Sequence, residues 1–154
     1  MSRICGLVAL LVGVVAAESV WAQSWVSHRN VFGGQDYYHH GRLVLRTMPN
    51  VFGGYDYYRG GSYVGRSMRN VFGGQDLYSA SGRYVGGTQP NVFRGFDFRG
   101  AAGRTTMRSM RNVFGGVNLY SNGRYMGHTM PNVFGGQTLY LNRPIVRPLP
   151  LLFR

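Results

Sequence analysis

Between residues 50 and 69 the chain reads NVFGGYDYYRGGSYVGRSMR, and its apolar positions fall into two short runs, Tyr55–Tyr58 and Ser62–Ser67. Both runs are rich in aromatic and β-branched residues, and Gly-rich breaks precede and separate them, as in strands joined by tight turns. Beyond residue 22 no stretch carries apolar residues at i, i+3, i+4 and i+7 over three turns, so no helix is expected. The unit reads as a β-hairpin. Its inner turn is His39-His40-Gly41, Arg59-Gly60-Gly61, Ala80-Ser81-Gly82, Ala101-Ala102-Gly103 or Ser121-Asn122-Gly123 in successive copies. Glycine closes each of them, where a tight hairpin often needs positive φ.

The unit recurs. NVFGG or a near copy begins at Asn30, Asn50, Asn70, Asn91, Asn112 and Asn132, at intervals of 20, 20, 21, 21 and 20 residues. Phe32, Phe52, Phe72, Phe93, Phe114 and Phe134 never vary, nor do the valines before them, and sixfold retention of Phe predicts a shared core. The first glycine gives way to Arg94 in the fourth copy, which predicts negative φ at that site. The second (Gly34, Gly54, Gly74, Gly95, Gly116, Gly136) is invariant and predicts positive φ or a close backbone approach. The leading asparagine is expected to bond its own turn. Strand side chains alternate faces, so Tyr37, Tyr57, Leu77, Phe98, Leu119 and Leu139 form a second core column. Tyr38, Tyr58, Tyr78, Arg99, Tyr120 and Tyr140 point the other way, sharing an outer or interface face with Asp36, Asp56, Asp76 and Asp97.

A hairpin of this size needs neighbours to bury its apolar face. The array either closes or runs on as an open β-solenoid, and the termini favour closure. Ser24–Arg29 aligns with the tail of a unit, Arg66-Ser67-Met68-Arg69, while the second strand of the last copy decays into a proline-bearing tail after Asn142. The first fragment is therefore expected to complete the sixth hairpin, giving an all-β ring or shallow barrel of six tandem hairpins without exposed sheet edges. With its Tyr-Asp strands, Gly-containing turns and "YVGRS" (Tyr63–Ser67) or "YMGHT" (Tyr125–Thr129) segments, the chain resembles the small bacterial β-flower proteins. That resemblance implies hairpins around a shallow barrel with an apolar centre, and a binding or structural module without catalytic residues.

Residues 1–22 stand apart. Arg3, the uncharged apolar run Ile4–Ala17 and the small residues Val20 and Ala22 form the pattern of a secretory signal peptide cleaved before Gln23. The chain is then expected to be exported, to the periplasm or the extracellular envelope, as one repeat domain over residues 23–154. Cys5 leaves with the signal, so the domain must build its core without disulfides. All seventeen basic residues are arginine. Removing Arg3 and Glu18 leaves sixteen arginines against four aspartates, still +12. Such a charge attracts polyanions, and the expected partners are anionic lipid, lipopolysaccharide or cell-wall polymer.

Catalysis finds no constellation. The four aspartates share one column, no second acidic column faces them, and the sequence has no thiol nucleophile after residue 22 and no phosphate- or dinucleotide-binding loop. No enzyme activity, small-molecule substrate, cofactor or metal is expected; His39 and His40 are a turn pair. One pattern does point to anions. The residue before each asparagine is Arg29, Pro49, Arg69, Pro90, Arg111 and Pro131, a strict alternation with a double period of about 41 residues. In a closed ring Arg29, Arg69 and Arg111 become threefold-related, each beside a turn with exposed N–H groups, a candidate site for phosphate or carboxylate. Arg46, Arg66 and Arg108 would enlarge it. Inheritance from a triplicated two-hairpin ancestor is the competing account of the alternation. The alternatives to anion binding are self-association as a structural surface protein, and glycan binding on Tyr38, Tyr58, Tyr78, Tyr120 and Tyr140.

Overall fold

A computed structural model describes residues 23–142; the signal-like segment and the tail from Arg143 lie outside the described residues. Twelve strands follow one another: β1 (Gln23–Arg29), β2 (Gln35–His39), β3 (Arg42–Pro49), β4 (Tyr55–Arg59), β5 (Ser62–Arg69), β6 (Gln75–Ser79), β7 (Tyr84–Pro90), β8 (Phe96–Gly100), β9 (Thr105–Arg111), β10 (Val117–Ser121), β11 (Arg124–Pro131) and β12 (Gln137–Leu141). Each pairs antiparallel with its neighbours in sequence, and the sheet closes into a barrel. Closure is made by β1, which pairs with β2 on one side and β12 on the other, from Gln23↔Leu141 to Val26↔Thr138. The sixth hairpin is thus built from the two ends of the repeat array. The closed ring is correct and the open solenoid is not.

The interior is filled in layers. Tyr37, Tyr57, Leu77, Phe98, Leu119 and Leu139 are all buried, as the alternation requires, with Trp25, Leu45 and Met107 beside them. In each inner-turn hairpin the register slips by one residue just past this column, for example between Tyr57 and Tyr58. The slip leaves one extra residue on the second strand, and four of these five, Val44, Val64, Val85 and Met126, pack against the core.

Next towards the loops comes a ring of hydroxyls: Ser27, Thr47, Ser67, Thr88, Ser109 and Thr129, all buried. Each accepts the N–H of the residue that follows the second glycine of a loop, as Thr47 Oγ1 does from Gln35 at 2.8 Å and Ser27 Oγ from Gln137 at 2.8 Å. This tight seat explains the invariant second glycine. A Cβ on Gly74 would overlap the carbonyl oxygen of Thr88, and every equivalent position meets the same obstacle. Close approach is the correct half of the expectation for this glycine. Positive φ belongs to the first glycine instead, at 71° to 85°, and Arg94 adopts 57° there rather than a negative value.

Candidate functional site

The six NVFGG loops stand on one rim of the barrel, and their construction is local. Asn30 Oδ1 accepts the N–H groups of Phe32 (3.1 Å) and Gly34 (2.9 Å), while its Nδ2 donates to the Thr47 carbonyl (2.9 Å) and to Asp36 (3.0 Å). The Asn30 N–H donates to the Gly34 carbonyl, and Gly33 N–H to the Asn30 carbonyl. One side chain therefore ties loop, strand and wall together, as expected of the asparagine. The Phe column overturns its expectation, and the valines beside it are exposed too. The six valines are 90–95% exposed and the six phenylalanines 45–65% exposed. A five-residue connection at the end of a barrel points along the axis into solvent, so neither column can reach a core closed below it by the hydroxyl ring. Cationic and aromatic side chains cover part of the Phe rings: Arg46 over Phe32 (5.6 Å), Arg66 over Phe52 (5.0 Å), Arg108 over Phe93 (5.8 Å) and His28 against Phe134 (4.4 Å between centroids).

Arg29, Arg69 and Arg111 end β1, β5 and β9, four strands apart around a ring of twelve, and all are exposed at this rim. Their alternation with proline has a local consequence. Arg69 donates its backbone N–H to the Phe52 carbonyl, Arg111 to Phe93 and Arg29 to Phe134, at 3.1–3.2 Å. Pro49, Pro90 and Pro131 have no N–H to give, and their rings rest near Gly33, Gly73 and Gly115. Three loops therefore gain an additional backbone bond to the next strand and three do not. Arg46, Arg66 and Arg108 rise from the outer face of β3, β5 and β9, and their guanidiniums lie against the Phe rings of the rim. Arg46 holds Asp36 through Nε–Oδ1 at 2.8 Å and Nη2–Oδ2 at 2.7 Å, and Arg108 holds Asp97 in the same way at 2.8 Å and 2.8 Å. Hydrogen bonds from these guanidiniums, aided by Asn30 and Asn91, keep both carboxyls below the ordinary aspartate range against the opposing effect of burial. Two of the six candidate anion ligands are thus already paired within the chain.

On the outer wall Tyr58, Tyr78 and Tyr120 meet Tyr63, Tyr84 and Tyr125 edge to face at 5.6–5.8 Å, while Tyr38 lies against His28 and Tyr140 against His128. The partner tyrosines follow from the pairing of each hairpin across its bulge, which the repeat alignment alone did not bring out. At the inner-turn rim His39 stacks between Trp25 (4.1 Å) and His40 (4.0 Å). Arg42, Arg83, Arg104 and Arg124 are exposed there, and desolvation lowers the pKa of the half-buried Arg59 beside them. All four aspartates sit on the loop side of their strands, so among the described residues this rim carries arginine without carboxylate. No group of three or more His, Cys, Asp or Glu side chains able to hold a metal ion is found among the described residues.

Comparison of the chain with protein-family models, with curated proteins and with solved structures returns no match in any of the three. The likeness to β-flower proteins rests on the hairpin pattern alone.

Proposed function

We propose that this is a non-catalytic, exported repeat protein that binds or organises anionic lipids or polymers of the cell envelope through its arginines. The observation that carries the reading is the separation of charge. The described chain has exposed arginines on both rims, while its four carboxylates are confined to one belt of the wall. Arg46 and Arg108 neutralise Asp36 and Asp97 there. What remains is a rigid barrel with cationic ends, suited to polyvalent and sequence-independent contacts. Tyr63, Tyr84, Tyr125 and Tyr140, 40–42% exposed on the wall, favour lateral self-association as the second reading.

Salt separates the two. Binding to anionic vesicles and to lipopolysaccharide is expected to weaken by about tenfold or more as ionic strength rises, because exposed charges are screened. Two variants locate the contact: Arg29, Arg69 and Arg111 changed to Ser on the loop rim, or Arg42, Arg83, Arg104 and Arg124 changed to Ser on the opposite rim. Loss of affinity in either supports arginine recognition and names the rim. Binding unaffected by salt and by both variants would falsify it, and concentration-dependent association that persists at high salt would put the tyrosine wall in its place.

A further inference from the structure

The core column drifts between Tyr, Leu and Phe, and the outer column between Tyr and Arg, yet the most exposed apolar pair among the described residues is identical in all six copies. Folding does not require the valine. The bonds that build each loop come from Asn, from the glycines and from the backbone, and the valine side chain is 90–95% open to solvent. Twelve exposed Val and Phe side chains on one rim form an apolar crown of a kind that soluble surfaces rarely carry without a partner.

From this crown we infer that the NVFGG rim is a membrane-docking surface. Its six Val-Phe tips insert into the interfacial region of an anionic lipid bilayer while the arginines at their base meet the headgroups. Three features of the rim favour a bilayer. First, the tips can leave water cheaply. Four of the five backbone N–H groups of the loop Asn30–Gly34 are already bonded within it, so insertion leaves few donors to desolvate. Second, the charge is complementary. Arg29, Arg69, Arg94 and Arg111 are exposed at the loop bases, and the carboxylates behind them are held back: Asp36, Asp56, Asp76 and Asp97 each accept from the Asn that heads their own loop. A second copy docked crown to crown would set these four arginines against their own kind. Third, the barrel is built to sit on a membrane and not to cross it. Its strands have five to eight residues, short of the nine to eleven of a spanning strand, and its wall carries Asp, Arg and His outside with Leu, Phe and Tyr inside.

This inference rests on the anionic-lipid branch of the proposed function, and the test separates the two. The protein is mixed with vesicles of phosphatidylcholine alone or with added phosphatidylglycerol, at low and high salt. Beside the wild type stand a crown variant with Val31, Val51, Val71, Val92, Val113 and Val133 changed to Ser, and a reporter, Phe72→Trp. All these side chains are exposed, so the barrel should fold in each, which its circular dichroism verifies. The expected result is a vesicle partition about 100-fold weaker in the crown variant, with reporter emission shifted to the blue and quenched by acyl-brominated lipid. If the crown variant binds anionic vesicles as tightly as wild type and the reporter is not quenched, crown insertion is overturned while arginine binding stands. Wild type that ignores anionic vesicles sinks both. A wild-type dimer in light scattering that the crown variant dissolves, with no quenching, assigns the crown to a second copy and overturns the bilayer.

Discussion

The two rims of the barrel solve the same problem, turning a strand through half a revolution, by opposite means. On the inner-turn rim His40-Gly41, Gly60-Gly61 and Asn122-Gly123 reverse the chain with two consecutive positive φ values, and longer turns with Ser79–Arg83 and Gly100–Arg104 bonds do so elsewhere. Any residues that tolerate that backbone suffice, and the five turns differ accordingly. On the crown rim the same asparagine-centred bonding recurs six times, seated against a hydroxyl of the next strand. The difference teaches that internal repetition reports constraint without naming its source. Asn and the second glycine are held by folding, whereas the Val side chain is 90–95% exposed and adds no bond to the loop.

Substitutions at the two rims should therefore separate sharply. Gly74→Ala drives a Cβ into the Thr88 carbonyl and is expected to cost about 3 kcal/mol in urea or thermal unfolding. Gly82→Ala, in an inner turn with open space around it but φ of 80°, should cost only about 1 kcal/mol. Equal losses would mean that the crown seat is less rigid than its geometry states. Asn70→Ala removes two bonds accepted and two donated by one side chain and should cost about 2 kcal/mol, again with no counterpart on the other rim.

The smallest effect is electrostatic and confined to the crown side. Asp36 and Asp97 titrate below the ordinary value of 3.8, so their pairs contribute fully above that pH. The contribution is lost as pH falls from there through the lowered folded values, because the unfolded chain then binds protons first. Unfolding measured from about pH 5 to about pH 2 should show a modest loss of stability that is reduced in Arg46→Gln. Carboxyl NMR of that variant should find Asp36 moved up and Asp97 unmoved.

Much of this architecture was legible in the repeat. Period-two alternation located the buried column from Tyr37 to Leu139, and the match of Ser24–Arg29 to the end of a unit foretold the closing strand. The Phe column lies outside the core because invariance does not imply burial. The loop is short, flanked by strands and headed by a residue that bonds its own turn, and those facts alone place it on a rim. The glycine roles are the reverse of the expectation because Arg94 does not exclude positive φ: the loop's own hydrogen bonds hold it at 57°. The hydroxyl ring is absent from the sequence reading, although Ser27, Thr47, Ser67, Thr88, Ser109 and Thr129 form an unbroken Ser/Thr column that could have shown it. The Asp36–Arg46 and Asp97–Arg108 pairs depend on register across a bulge, which spacing does not reveal.

Closure by β1 has a consequence in time. The first strand of the barrel to be synthesised is joined to the last by bonds spanning 110 residues, such as Gln137 N–H to Ser27 Oγ. Until β12 arrives, β1 finds only β2, and the growing sheet keeps two open edges. Loss of either end should leave those edges unpaired whatever the state of the ten strands between. The barrel thus closes only when both of its terminal strands are in place, a pairing of high sequence separation.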